Sequence, residues 1–297
     1  MKNLLALICI VLSLGTAKAQ LYTMNVYVHD SVETGPWVSY CQSTIENVTF
    51  YTTPQSPLLT TLNIFRTGGD VTIIQVSLID SITYTPGCAV SCPETITDID
   101  GYTYDIVQIG NQCWMEENLR TTRYNDGTVI PNVTDDAAWI GLTTPAWCNF
   151  DNNPANDGPK GKLYNWYTVA ASNMCPTGWH VPSDAEWIAL INHLDANVPP
   201  TINPNIAGGK MKSVTGWYLP NFEATNESGF TAFPSGYRNS DIGNFIGPLE
   251  IAAYWSSTEY EFDNDEGISF LLNWSNGFCY RSPYFKHLGY SVRCIKD

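Results

Sequence analysis

The segment CPTGWHVPSDAEW, residues 175–187, gathers a cysteine, a histidine, an aspartate and a glutamate within thirteen positions. A thiol beside an imidazole is the material of a nucleophile with its base, and the same residue types ligate transition metals. The surrounding pattern points to a simpler use. Ser183-Asp184-Ala185-Glu186 has the spacing of a capping box, in which the serine hydroxyl accepts from the Glu186 amide and the glutamate reaches back to the cap. Asp184 falls in the first turn, at the positive end of the helix dipole. Downstream, Trp187, Leu190, Ile191 and Leu194 recur at helical spacing, and Pro199-Pro200 stops the helix. The acids thus read as helix-starting devices worth about 0.5–1.5 kcal/mol each. Trp179 and His180 lie on the chain entering that helix. None of His29, His180, His193 and His287 stands in a nucleophile signature such as GxSxG. His193, beside the apolar stripe, reads as a surface or boundary residue, and no catalytic residue is expected anywhere.

The N-terminus places this chemistry outside the cytoplasm. Lys2 precedes an apolar run over 4–14, and Ala17-Lys18-Ala19 fits the small-x-small site of a signal peptidase, so residues 1–19 read as a signal peptide. The run is too short for a transmembrane anchor, and nothing after it is apolar enough to span a bilayer. Cys9 leaves with the signal. Cleavage removes two lysines and no acid, leaving 12 basic against 29 acidic residues, a formal charge of −17. Nucleic acid is excluded as a partner, because binding it takes a basic patch to neutralise phosphates. The destination is the cell surface or the medium, with the periplasm as the other compartment that the signal allows.

Eight cysteines remain, Cys41, Cys88, Cys92, Cys113, Cys148, Cys175, Cys279 and Cys294, an even number suited to disulfides in an exported chain. The close pair Cys88/Cys92 lacks the second pair or histidine that would complete a zinc site. Eight cysteines permit 105 connectivities, and spacing alone does not choose among them.

Composition divides the chain near residue 90. Residues 20–90 are rich in Thr, Val, Ile and Tyr, and the stretches 24–29, 62–65 and 70–80 alternate with the period of a strand, which gives a small all-β domain. In 70–80, Val71, Ile73 and Gln75 fall on one side. Residues 91–297 are richer in aromatics and turns. Asp-Gly pairs at 100–101 and 126–127 mark tight turns, and Asn276-Gly277 is the strongest hairpin signal. Leu163, Trp166, Tyr167 and Ala170 recur along one face of a helix expected over 161–172. Strands are expected at 253–259, 267–274, 277–281 and 290–295, the last with Tyr290, Val292 and Cys294 inward and Ser291, Arg293 and Ile295 opposite.

The segments IGNQCWMEENLRTTRYNDGTVIP (109–131), LYNWYTVAAS (163–172), CPTGWHVPSDAEW (175–187), GGKMKS (208–213), YWSSTE (254–259) and GYSVRCIKD (289–297) resemble, in order, the Fibrobacter succinogenes major paralogous domain family, over about residues 92–297. The resemblance implies an α+β, C-type-lectin-like domain of the branch shared with formylglycine-generating enzymes: two helices on a twisted antiparallel sheet, rich in loops. It also implies an exported bacterial protein of the Bacteroidota and Fibrobacter neighbourhood. By the same resemblance Cys92 pairs with Cys113 and Cys175 with Cys294, which leaves Cys148 for Cys279 and Cys41 for Cys88. The activities of related branches do not carry over. The Glu-Pro-Asn and Trp-Asn-Asp calcium-and-sugar motifs of lectins are missing. WIGL (139–142) precedes the helices that it follows in animal lectins. The two closely spaced late cysteines with which formylglycine-generating oxidases hold copper are absent, since Cys279 and Cys294 lie far apart.

Binding is the expectation that remains. The loops 146–158, 234–245 and 273–281 combine flat aromatic faces with polar side chains suited to sugar hydroxyls, and Trp147, Tyr237, Arg238 and Asn239 are the candidate ligand-binding residues. No cofactor is required. Calcium is the one ion that the acids of 259–267 and 149–157 suit, although neither follows the D-x-[DN]-x-[DN]-G loop. The expected function is adhesion, or recognition of a glycan or a surface protein. The alternatives are a structural subunit or passenger of a surface assembly and, more remotely, a formylglycine-generating-type oxidase.

Overall fold

The computed structural model describes the strands between Tyr22 and Pro86 by their backbone and, with side chains, residues 91–171, 173–195 and 205–297. The chain forms two compact units, Met1–Ala89 and Val90–Asp297. The first contains two antiparallel three-stranded sheets. One has the order β2 (Val38–Cys41), β1 (Tyr22–Val28), β6 (Ile79–Pro86), and the other β3 (Ile45–Thr53), β4 (Ser56–Arg66), β5 (Val71–Gln75). The run expected as one strand over 70–80 contributes β5 and the start of β6. The faces expected for Val71, Ile73 and Gln75, the Cys41–Cys88 pairing, His29, the signal segment and Pro199-Pro200 lie outside the described residues.

The second unit runs β7 (Thr95–Thr97), β8 (Thr103–Ile109), β9 (Gln112–Met115), α1 (Asp136–Ile140), β10 (Trp147–Asn149), α2 (Asp157–Lys160), β11 (Lys162–Tyr164), α3 (Trp166–Ala170), β12 (Trp179–His180), α4 (Asp184–Leu194), α5 (Ala207–Met211), β13 (Tyr237–Arg238), β14 (Phe245–Ile246), β15 (Ile251–Glu259), β16 (Glu266–Asn273), β17 (Cys279–Phe285), β18 (Ile295–Lys296). One sheet has the order β12-β18-β9-β8-β7 and another β15-β16-β17; β10 pairs with β11 and β13 with β14. Every pairing between these strands is antiparallel. Helices and antiparallel sheets together make the unit α+β, with strand predominating. In place of two principal helices there are five short ones among the described residues, of which only α4, with 11 residues, exceeds two turns.

Local chemistry explains several boundaries. The helix expected over 161–172 begins only at Trp166, because Asn165 caps it by accepting from the Thr168 amide, while residues 162–164 pair with β10. Its buried face is therefore Trp166, Thr168 and Val169, and Ala170 is exposed. The capping box of α4 is formed, with Ser183 Oγ accepting from the Glu186 amide and the Glu186 carboxylate accepting from the Ser183 amide. The β16–β17 hairpin exists, but neither Asn276 nor Gly277 has the positive φ of a two-residue turn. A longer loop is closed instead by Asn276 Oδ1, which accepts from the Phe278 amide. The last expected strand is ladder-paired only at Ile295–Lys296, and both faces of 290–295 are buried, so the division into an inward and an outward set does not hold.

The core lies on both sides of β15 and β16. Ala252, Tyr254, Ile268, Phe270 and Leu272 join Trp114, Trp187 and Phe230 in one cluster, where Trp187 stacks on Phe270 at 4.8 Å. Ala253 and Trp255 enter a second cluster with Tyr164, Tyr290, Val292 and the bonded Cys175–Cys294 pair. Cys92 and Cys113 are also bonded. The Cys148–Cys279 bond expected by elimination is not formed. Both thiols are free and buried, Cys148 among Trp139, Phe150 and Leu163, Cys279 in the Trp187 cluster, so separate apolar pockets keep them apart.

A loop-rich unit must satisfy many main-chain carbonyls, and here basic side chains do so from inside. Six basic residues are buried among the described residues: Lys160, Lys162, Lys212, Arg238, Lys286 and Arg293. Arg293 donates to Met115 O, Phe230 O, Thr231 O and Asn118 Oδ1 and lies over the Phe230 ring at 4.1 Å. Lys286 binds Glu259 and Asn264 O above Trp166. These side chains combine multiple donors with cation–π contact.

Candidate functional site

The Cys175–Glu186 segment is fully engaged in structure. Cys175 is in a disulfide. Both ring nitrogens of His180 face carboxylates, Nε2 on Glu186 at 2.9 Å and Nδ1 on Asp297 at 2.6 Å. The Glu186 bond, more than the opposing burial and together with Asp297, raises His180 from 6.5 to about 9, so the imidazolium ties the C-terminal residue to the start of α4. Burial alone would raise Glu186, but His180 and Ser183 hold it below the usual value. Asp184 does more than meet the dipole: it accepts twice from Arg281, at 2.6 and 2.8 Å, and so fastens α4 to β17. His193 is exposed, with its ring against Gly110. His287 stacks on Phe285, and burial lowers its pKa.

The candidate ligand residues do not form one site. Arg238 is completely buried and donates to Val133 O, Thr134 O, Gly243 O and Asp136 Oδ1, so it braces loops and has no surface to offer a ligand. Asn239 closes the 239–244 turn, its Oδ1 accepting from the Asp241 amide. Trp147 packs against the Tyr164 cluster and donates to Ile130 O. Tyr237 packs on Tyr290 at 5.7 Å, and Tyr290 in turn on Tyr284 at 6.0 Å, a residue that lines an opening in the surface; none of the four candidates lines that opening itself.

That opening is a groove of about 150 Å³ on β15–β16–β17, lined by Ile251, Leu271, Leu272, Asn273, Tyr280, Ser282 and Tyr284, of which all but Leu272 lie outside the Trp187 cluster. Strand alternation builds it. In β17, Tyr280, Ser282 and Tyr284 share one face while Cys279 and Arg281 serve the other, toward the Trp187 cluster and Asp184. Tyr280 stands opposite Leu271, and Tyr284 opposite Gly267. The lining carries no charged side chain. Tyr280 Oη accepts from Asn276 Nδ2 at 3.0 Å, which leaves the phenol proton for an outside acceptor. Among the described residues, nothing in the protein bonds the hydroxyls of Ser282 and Tyr284. Apolar rings with free hydroxyls suit a ligand that offers a flat C–H face and polar edges. The volume falls below the roughly 300–1,000 Å³ of an enclosing small-molecule pocket. The period of two in CYRSPYF (279–285) is the signal from which this face was legible.

The GGKMKS segment hydrogen-bonds the groove's lining at one residue, Asn273, through that residue's main-chain oxygen. Lys212, at the C-cap of α5, donates to Phe222 O at 2.7 Å, Asn273 O at 3.0 Å and Asn276 O at 2.8 Å. Burial lowers its pKa to about 8 against the opposing pull of Glu223. In the acid-rich loops expected to suit calcium, Glu259 binds Lys286, Asp263 accepts from the Asp265 amide and Asp157 binds Lys162. Among the described residues no group of three or more His, Cys, Asp or Glu side chains is arranged to hold a metal ion, and no helix is long and apolar enough to cross a membrane.

Comparison with the curated proteins and with the solved structures yields no match to this chain. The model of the Fibrobacter succinogenes major domain matches residues 107–296, which spans α1–α5 and all but the first strands of the second unit. By that match, the chain belongs to the Fibrobacter succinogenes major domain family.

Proposed function

We propose that this is an exported, non-catalytic recognition protein that acts in adhesion at the cell surface, and that its second unit, of C-type-lectin-like fold, binds a glycan. The observation that carries this reading is the uncharged, tyrosine-lined groove on β15–β17. Two disulfides support export, since such bonds persist in oxidising compartments. The lectin-like assignment rests on α4 opening from a capping box against an antiparallel sheet, with the segment before it bonded to the chain's end.

A glycan array probed with the mature chain tests the function. Binding to a defined set of glycans is expected, weakened at least tenfold by Tyr280→Ala with Tyr284→Ala; an empty array, or full binding by the double variant, rejects it. The alternative, a structural subunit of a surface assembly, is favoured by one feature, the exposed apolar loop of Tyr218, Leu219 and Phe222. Stable co-purification with another surface protein, abolished by Leu219→Asp with Phe222→Asp, would support it.

A further inference from the structure

The GGKMKS segment is built for close approach. A Cβ on Gly208 would come within 2.2 Å of Phe278 O, and one on Gly209 within 2.4 Å of Glu223 O. Two glycines thus let α5 press against the β16–β17 hairpin loop and the 218–223 loop at once, fixed by the Gly209 amide on Gly277 O at 2.8 Å and the Thr225 amide on Gly209 O at 2.9 Å. The helix ends in that gap, and Lys212 fills it. A lysine ammonium has three donors, and all three are spent on carbonyls, Phe222 O in the 218–223 loop and Asn273 O and Asn276 O on the β16–β17 hairpin. Two of these lead into the groove. Asn273 lines it, and Asn276 holds the Tyr280 hydroxyl through Nδ2.

We propose that Lys212 is the positioning residue of this groove. Its ammonium gathers main-chain carbonyls as a bound metal ion would, fixes Asn273 and Tyr280 from behind, and leaves a site that takes an uncharged ligand without metal. With every donor engaged inside, Lys212 presents no N–H to an anion. An anionic glycan would meet an uncharged lining on a chain whose formal charge after cleavage is −17. The ligand class rests on the glycan reading above; the positioning role rests on geometry alone.

Hydrogen exchange resolved by peptide on the mature chain separates the two. Lys212→Met strands three carbonyls, and amides of 273–280 are expected to exchange at least tenfold faster while those of β8 and β9 keep their rates. Asp135→Ala, which removes the side-chain cap of α1, serves as the control for general loosening and should leave 273–280 unchanged. Equal acceleration throughout the unit in Lys212→Met, or none at 273–280, overturns the positioning role. In parallel, cello-, manno- and laminari-oligosaccharides are compared with heparin and polygalacturonate, with and without EDTA. Binding to a neutral set, indifferent to EDTA and lost at least tenfold in Lys212→Met, is expected. Preference for the polyanions, or abolition by EDTA, overturns the ligand class. No binding to any of them defeats the glycan reading, while the exchange result still decides the role of Lys212.

Discussion

His180 shows how a residue with catalytic credentials is used to hold a fold. Its ring is clamped between Glu186 and Asp297, and folding raises its pKa from 6.5 to about 9. The stabilisation is therefore complete below about pH 6.5 and vanishes as pH climbs through about 9. Because the pair is partly exposed, solvent screening reduces its worth to on the order of 1 kcal/mol. Melting temperatures of the wild type and His180→Gln should differ at pH 6 and converge above pH 9; a constant difference would refute the clamp. Arg293 lies at the other extreme, fully buried with four acceptors around it. Arg293→Met strands those oxygens and should cost on the order of 3 kcal/mol in urea denaturation.

At the scale of elements, caps and close contacts decide more than periodicity does. The α4 capping box was legible because it is local in sequence, and Ser183→Ala should cost about 1 kcal/mol by thermal denaturation. The expected helix over 161–172 was half wrong for an equally physical reason. Leu163 and Trp166 do fit a helical stripe, but the Asn165 cap starts the helix after residues 162–164 have paired as β11. Tyr280, Ser282 and Tyr284 show plain strand alternation, yet which of the two faces is covered depends on Trp187 and Asp184, remote in sequence.

Across the whole second unit, covalent and ionic ties stand in for long regular elements. The Cys175–Cys294 bond closes a sequence separation of 119, so replacing both cysteines by alanine should cost about 5 kcal/mol on the chain-entropy scale. Cys148 and Cys279 are free thiols held in apolar surroundings, Cys148 beside Arg238. Burial pushes each thiol up to about 12, so neither should react with iodoacetamide in the native protein at pH 7.5. After denaturation without reduction both should be alkylated, and mass spectrometry recovering a 148–279 crosslink would contradict the structure. Among the described residues six basic side chains are buried, three of them paired with carboxylates, Lys162 with Asp157, Arg238 with Asp136 and Lys286 with Glu259.

By itself the sequence determined what short-range chemistry can encode: the division near residue 90, the α4 cap, the late hairpin, and family membership through ordered motifs. Tertiary structure decided which cysteines lack a partner, that Arg238 is a brace, and that β17 rather than the 146–158 loop carries the open aromatic face. The physical reason is burial. Lys212, Arg238 and Arg293 look like surface charges in a linear reading, and only packing against carbonyls distant in sequence turns them inward.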